Sequence, residues 1–251
     1  MTGMDAPVKA LDSNCYDEQW RRIDDFILYH PGARHRRRLI YAVIKKLKPE
    51  SICDVGCGNG ELLSLIRREY PSIALYGADL SPEVVKKNQA NKPSMKFEVL
   101  DLEEGHFEAQ CDLVICSEVV EHLNDRAHAI QNLLKAVKPG GYLLITAPAG
   151  RIFETERRWG HTTHPTVEEL KGHADNNNCE LVQLVNWGFP LYYALKYVTN
   201  IHPDAAIEAF GSGGYSLPKR ILCHILYYLN FLNLPNSPWG CQLVSLFRKK
   251  A

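Results

Sequence analysis

The sequence predicts an α/β fold with a mostly parallel sheet, and three observations carry that reading. Between Ser51 and Pro148 short apolar runs alternate with helix-period segments. A glycine-rich turn joins the first apolar run to the first helix of this stretch. Acids fall where apolar runs end. Strands that alternate with helices pair in parallel and need cover on both faces.

In chain order, residues 1–14 read as a loose tail, and Tyr16–Tyr29 and Ala33–Leu47 as two helices broken at His30-Pro31-Gly32. Then come strand ICDVG, helix ELLSLIRREY, strand IALYGADL, a helix opened by Ser81-Pro82-Glu83, and strand MKFEVLDL. CDLVICSEV is the next strand, Asp125–Val137 a helix, Pro139-Gly140-Gly141 a turn, and YLLITAP a strand. An Arg- and His-rich loop, RIFETERRWGHTTHP, leads to a helix over Thr166–Asn177, where Thr166 and Glu169 form a capping box. ELVQLVNWGF and CQLVSLFRKK are the last two strands. Residues 190–240 separate them, far more than the roughly 2–6 residues of an ordinary α/β connection, and predict a small helical cap. The expected organisation is a tail and helical lid over 1–49, a core over 50–189 with 241–251, and the insert over 190–240.

Composition excludes several classes. With 251 residues, 45% hydrophobic and 23% charged, the chain suits one large folded domain with elaborations. Its formal net charge is zero, so the footprint of a nucleic-acid binder is missing. Charge is still segregated: His30–Lys48 holds seven Lys and Arg and no acid, while Phe97–Asp125 holds only acids, which reads as solvated faces, the alternative being that His30, Arg34 and the following basic run close a binding site from the amino side. Cysteines stand at 15, 53, 57, 111, 116, 179, 223 and 241 without a Cys-x-x-Cys pair, so reduced thiols in the cytoplasm are expected rather than a zinc ribbon. No apolar run suits a signal peptide or a membrane span, since Ile221–Leu234 is interrupted by His224, Asn230 and Asn233.

Asp54-Val-Gly56-Cys-Gly58-Asn59-Gly60 follows an apolar strand and opens a helix, the place where glycines let a backbone approach a cofactor. A dinucleotide fingerprint would need a further glycine where Glu61 stands, and an anion there opposes a pyrophosphate at the helix N-terminus. A cofactor without phosphate, with an amino acid end, a ribose and an adenine, suits this acidic turn: S-adenosylmethionine. Asp79 ends the second strand, where a carboxylate reaches ribose hydroxyls, and Asp101-Leu102 ends the third, beside an adenine.

DVGCGNGE, GADLS, LDLEE, ICSEVVEHL and KPGGYLLITAP, in this order over 51–148, resemble the class I S-adenosylmethionine-dependent methyltransferases, whose sheet is Rossmann-like. That resemblance implies that Gly56, Gly58 and Asn59 line the methionine and ribose end, Asp79 and Leu80 the ribose, Asp101 and Leu102 the adenine, and Ser117 or Glu118 the floor. O-methylation of a small, apolar acceptor is the leading expectation, with His122, His161 and His164 as candidates for base or positioner. Glu118, Glu121 and His122 stand at i, i+3 and i+4, and share a side if the segment is helical. A Glu-x-x-Glu-His segment here is similar to that of quinone-pathway O-methyltransferases and small-RNA terminal methyltransferases, where it serves a divalent metal. Metal-dependent methylation of a catechol-like or quinone-precursor hydroxyl is therefore a second reading, and His161 or His164 would complete the ligand set. A non-catalytic cofactor-binding regulator is a third, and packing and capping account for the same letters. Arg157, Arg158 and Trp159 are candidates to hold an anionic or aromatic acceptor. The aromatic insert reads as core packing, as the floor of an acceptor pocket, or as a surface resting on a membrane. The oligomeric state is left open, a homodimer included.

Overall fold

The computed structural model describes residues 24–211 and 214–251. The expected tail, the start of the first helix and Cys15 lie outside these residues. Two helices, α1 (Asp24–Tyr29) and α2 (Pro31–Leu47), precede the sheet, and α2 starts on Pro31, whose missing N–H costs nothing at a helix start. The strands are β1 (Ser51–Val55), β2 (Ala74–Asp79), β3 (Lys96–Val99), β4 (Cys111–Ser117), β5 (Val137–Pro148), β6 (Cys179–Trp187) and β7 (Gln242–Lys249). Helices α3 (Glu61–Glu69), α4 (Pro82–Asn91) and α5 (Arg126–Lys135) join the parallel strands, and a 3₁₀ turn, Val120–His122, follows β4. Beyond β5 lie α6 (Glu154–Arg158) and α7 (Val167–Asn176), and between β6 and β7 the insert forms α8 (Leu191–Thr199), α9 (Pro203–Gly211) and α10 (Leu217–Leu229).

The seven-stranded sheet runs β3-β2-β1-β4-β5-β7-β6, parallel up to β5, with β7 antiparallel to both of its neighbours. This is the α/β, mostly parallel, Rossmann-like architecture expected. Both faces are covered: Ile40, Val43 and Ile44 of α2 pack with Ile52, Leu113 and Trp187 on one side. On the other, Ile130 and Leu133 of α5 and Leu170 of α7 pack with Val114 and Ile145. Each such side chain contributes roughly 1.5–3 kcal/mol on burial.

Two helix starts follow the sequence, whereas α2 begins at Pro31, inside the expected break, and not at Ala33. The Ser81 hydroxyl accepts from the Val84 amide at 3.1 Å, and Thr166 accepts from Glu169 at 3.1 Å. Two further expectations change. The Pro139-Gly140-Gly141 turn is absorbed into β5: a register shift between Cys111 and Leu113 and a Gly140 φ of +74° let the strand continue as a bulge. The Arg/His-rich loop contains α6, whose Arg158 is held by Glu154 and by Asp204 of α9, and Arg157 is exposed. Among the described residues no helix is long and apolar enough to cross a membrane.

Candidate active site

The turn after β1 needs its glycines. Gly56, Gly58 and Gly60 have φ of +79°, +51° and +68°, a region costly for other residues. At Gly56 an added Cβ would lie 2.2 Å from Val119 Cγ2. The Gly56 and Cys57 amides donate to the Ala78 carbonyl at 2.8 and 3.0 Å, tying the turn to β2. Asp79 completes the tie: its Oδ2 accepts from the Gly58 amide at 2.7 Å and its Oδ1 from the Ser81 amide at 3.0 Å. Asn88 Nδ2 of α4 donates to the Gly58 carbonyl at 2.8 Å, and Nζ of Lys92, which caps the end of α4, to the Asn59 carbonyl at 2.9 Å.

Over this turn lies a cleft of about 210 Å³. Asp54, Gly56, Asn59, Ser117 and Glu118 line its sheet side, and Phe26, Ala33 and Arg36 of α1 and α2 close it opposite. Arg36 Nη1 lies 3.0 Å from Glu118 Oε2. Asn59 Oδ1 is buried without a hydrogen-bond partner, and Ser117 Oγ lies 2.8 Å from Thr146 Oγ1. Burial, and then the nearby Asp79 carboxylate, push the Asp54 carboxyl up to about 7. Gly58, Gly60, Asp79, Leu80, Asp101 and Leu102 do not line this cleft. Asp101 is exposed beyond β3 and accepts from the Glu103 amide at 2.9 Å, whereas Leu102 is buried with the core and its carbonyl accepts from Asn132 Nδ2 at 2.9 Å.

A second cluster forms where the segment after β4 meets the loop after β5. The His122 and His161 rings lie 4.8 Å apart edge to face, and His161 Nδ1 is 3.2 Å from His164 Nε2. His122 Nδ1 lies 3.2 Å from the Gly160 carbonyl, which joins the two segments. Glu156 approaches His164 at 3.9 Å and pairs with Lys196 of α8 at 2.6 Å, so the insert reaches this cluster. Desolvation lowers all three imidazoles: His122 to about 4, His161 to about 2, and His164 below its ordinary value. A base poised near neutrality is the sequence expectation; burial instead keeps these rings uncharged. The Glu121 carboxyl is raised well above its usual range by burial and then by Glu118, and neither of its oxygens has a hydrogen-bond partner.

The model of a methyltransferase domain matches residues 32–184, more than half of the chain. The chain belongs to the methyltransferase domain family. A trans-aconitate 2-methyltransferase from Azoarcus sp. (strain BH72) is 28% identical over 122 residues, 49% of this chain and 48% of that protein. A malonyl-[acyl-carrier protein] O-methyltransferase from Acetivibrio thermocellus is 30% identical over 125 residues, 47% of this chain and 44% of that one. The chain thus spans about half the length of the curated relatives it matches. The N-methyltransferase NodS of Bradyrhizobium japonicum WM9, solved in complex with S-adenosyl-L-homocysteine, aligns over 95% of this chain and 98% of its own, at a TM-score of 0.60 and 18% identity. The [4+2]-cyclase SpnF aligns over 86% of this chain and 81% of its own, at 0.58 and 16%. Likenesses this remote carry the fold and not the reaction.

Within this domain one carboxylate or imidazole ligand atom from each of Glu121, His122 and His161 lies within 4.8 Å of the others, and the same holds for Glu156, His161 and His164. Glu118, expected with Glu121 and His122, is not in either group. Its φ of +58° takes it out of the helical turn and its side chain joins Arg36 instead. The sequence offers the basic run that follows His30 and Arg34 as an alternative closure of the site, but it does not single out Arg36, which stands among seven cations between His30 and Lys48. Nor does it single out Asn88, Lys92, Glu156 or Lys196. For Asn88 and Lys92 the available signal is a polar pair at i, i+4 in the helix that follows Asp79.

Proposed function

We propose that this methyltransferase carries a methyl group from S-adenosylmethionine to an oxygen of a small-molecule acceptor. The observation that carries this reading is the cleft at the carboxyl ends of β1 and β4, where Arg36 and Glu118 face each other at 3.0 Å above a glycine turn that starts α3 with Glu61. A zwitterion meets a cation and an anion there, and a phosphate meets Glu61. Arg36 takes the carboxylate of the cofactor, Glu118 and Asp54 its ammonium, and Asp79 the ribose, with Asp101 and Leu102 toward the adenine. When bound, the cofactor supplies an electrophilic methyl on a sulfonium. The chain supplies position and a dry site, through the lid helices α1 and α2 and the cap helices α8, α9 and α10. His122, His161 and His164 orient the acceptor as uncharged hydrogen-bonding rings. The name of the Acetivibrio relative, an O-methyltransferase, supports oxygen as the accepting atom. The cytoplasm suits the seven described cysteines, all buried and unpaired.

Calorimetry with S-adenosylhomocysteine, followed by incubation with methyl-labelled cofactor and a metabolite extract, tests this. A labelled small molecule is expected. Label in protein or nucleic acid alone refutes the acceptor class, and binding without any transfer supports a regulator instead.

Asp54 makes the binding step pH-dependent. Its folded value of about 7 exceeds the ordinary 3.8, so the folded protein holds this proton between those values and loses stability as pH rises through them. The ammonium of the ligand favours ionised Asp54, so S-adenosylhomocysteine should bind more tightly as pH rises from about 6 to about 7.5. Asp54→Asn should flatten that profile, and a wild-type profile that is already flat contradicts the assignment.

One observation favours the metal-assisted reading: both Glu121 oxygens are buried without a hydrogen-bond partner, and one of them lies within 4.8 Å of ligand nitrogens on His122 and His161. Uncharged imidazoles and one carboxylate suit Mn²⁺ or Zn²⁺, and such an ion would act as a Lewis acid on an acceptor oxygen. The expected result is about one equivalent of metal by elemental analysis, with turnover lost on chelation. Full turnover from metal-free protein excludes it.

A further inference from the structure

We propose that the outer face of α10 docks this protein on the surface of an anionic lipid bilayer. Leu217, Ile221, Ile225, Tyr228 and Leu232 fall at successive steps of four, four, three and four along α10 and the 3₁₀ turn that ends it. That spacing puts them on one side of the helix. They are 71%, 51%, 54%, 66% and 67% exposed, while Cys223 on the opposite side is buried. The stripe runs for about 22 Å at 1.5 Å per residue. Apolar residues scattered singly are ordinary on a surface, but a continuous helical stripe is not. At 13 residues α10 is too short to cross a bilayer, which needs about 20, and has the character of a helix lying in the interface.

Charge selects the occupant. From Ala209 to the last residue, Ala251, the sequence contains no Asp or Glu, and α2, against which α10 packs, has none either. Arg34 of α2 stacks over Tyr227 at 3.9 Å and Arg38 over Phe231 at 4.5 Å, so two guanidinium groups flank the stripe. Arg38 and Lys45, on the same line of α2, are exposed. At the start of α10, Lys219 lies 3.6 Å from the Tyr215 ring. An apolar stripe edged by cations matches acyl chains below and anionic headgroups beside it. A second copy, related by a two-fold axis, would bring the same cationic edges toward each other. The proposal does not depend on the methyl-transfer reading, because it concerns a face outside the cofactor cleft.

The test is co-sedimentation of the full chain with phosphatidylcholine vesicles, with and without about 30% phosphatidylglycerol. The protein should pellet with the anionic vesicles, stay in solution with the neutral ones, and be released by about 0.5 M salt. The double variant Ile225→Glu/Tyr228→Glu should lose at least about tenfold in vesicle affinity with an unchanged thermal melt, because both sites are exposed. Arg38→Glu gives an independent check and should also weaken anionic binding. Failure to pellet, equal pelleting with both vesicle types, or undiminished binding by both variants overturns the proposal. So does light scattering that shows a dimer dissolved by the double variant, since a second copy would then cover the face.

Discussion

Asp79→Ala is expected to weaken S-adenosylhomocysteine binding at least about a hundredfold, because one carboxylate holds the turn and, in the proposed binding mode, also meets the ribose. Its two oxygens accept the Gly58 and Ser81 amides at 2.7 and 3.0 Å, and the residue is 6% exposed. Hydrogen bonds to a charged group contribute roughly 1.5–3 kcal/mol each, and a hundredfold in affinity is about 2.7 kcal/mol, so losing the ribose contact alone reaches the stated size. The melting temperature should also fall by several degrees, since amides left without acceptors in a buried turn are costly. Asp79→Asn separates the two jobs. It keeps an acceptor for the turn, removes the charge, and lowers the Asp54 carboxyl toward its ordinary range, because the Asp79 charge is the second cause of the upward shift. Calorimetry on both variants decides: unchanged affinity in Asp79→Ala removes the ribose role.

His161→Ala is expected to lower kcat by about 10²–10⁴ while leaving cofactor affinity within about twofold. The residue sits between His122, at 4.8 Å ring to ring, and His164, at 3.2 Å, and it does not line the cofactor cleft. A purely structural histidine would change the melt and leave kcat in place, so the split between kcat and affinity is the deciding measurement. Because burial holds His122 near 4 and His161 near 2, protonation of either ring opposes folding. Stability should therefore fall as pH drops below their ordinary value of 6.5, and the alanine variant should lose part of that acid sensitivity.

Much of the fold was legible because its signals are local. β1 is buried at every position, Ser81 and Thr166 cap their helices, and the three glycines of the turn need conformations that few other residues adopt cheaply. Asp79 was legible for the same reason: it stands at a strand end, at the expected distance from the glycines. Glu118 misled. Its spacing to Glu121 and His122 promises one helical side, but a positive φ before a single 3₁₀ turn sends it across the cleft to Arg36, 82 residues earlier in the chain. Nothing in local periodicity reports a contact between residues that far apart.

Chain order alone settled the alternation of strands and helices, the glycine turn and the acids at the carboxyl rim, since hydrophobic period and backbone preference act over a few residues. Packing decided the rest: that β7 enters antiparallel between β5 and β6, that Lys196 of the insert closes on Glu156, and that three histidines from two loops meet in one half-buried cluster. Those meetings depend on which strand lies beside which, and so does the loss of charge from the imidazoles, because desolvation is set by every segment that closes over a side chain.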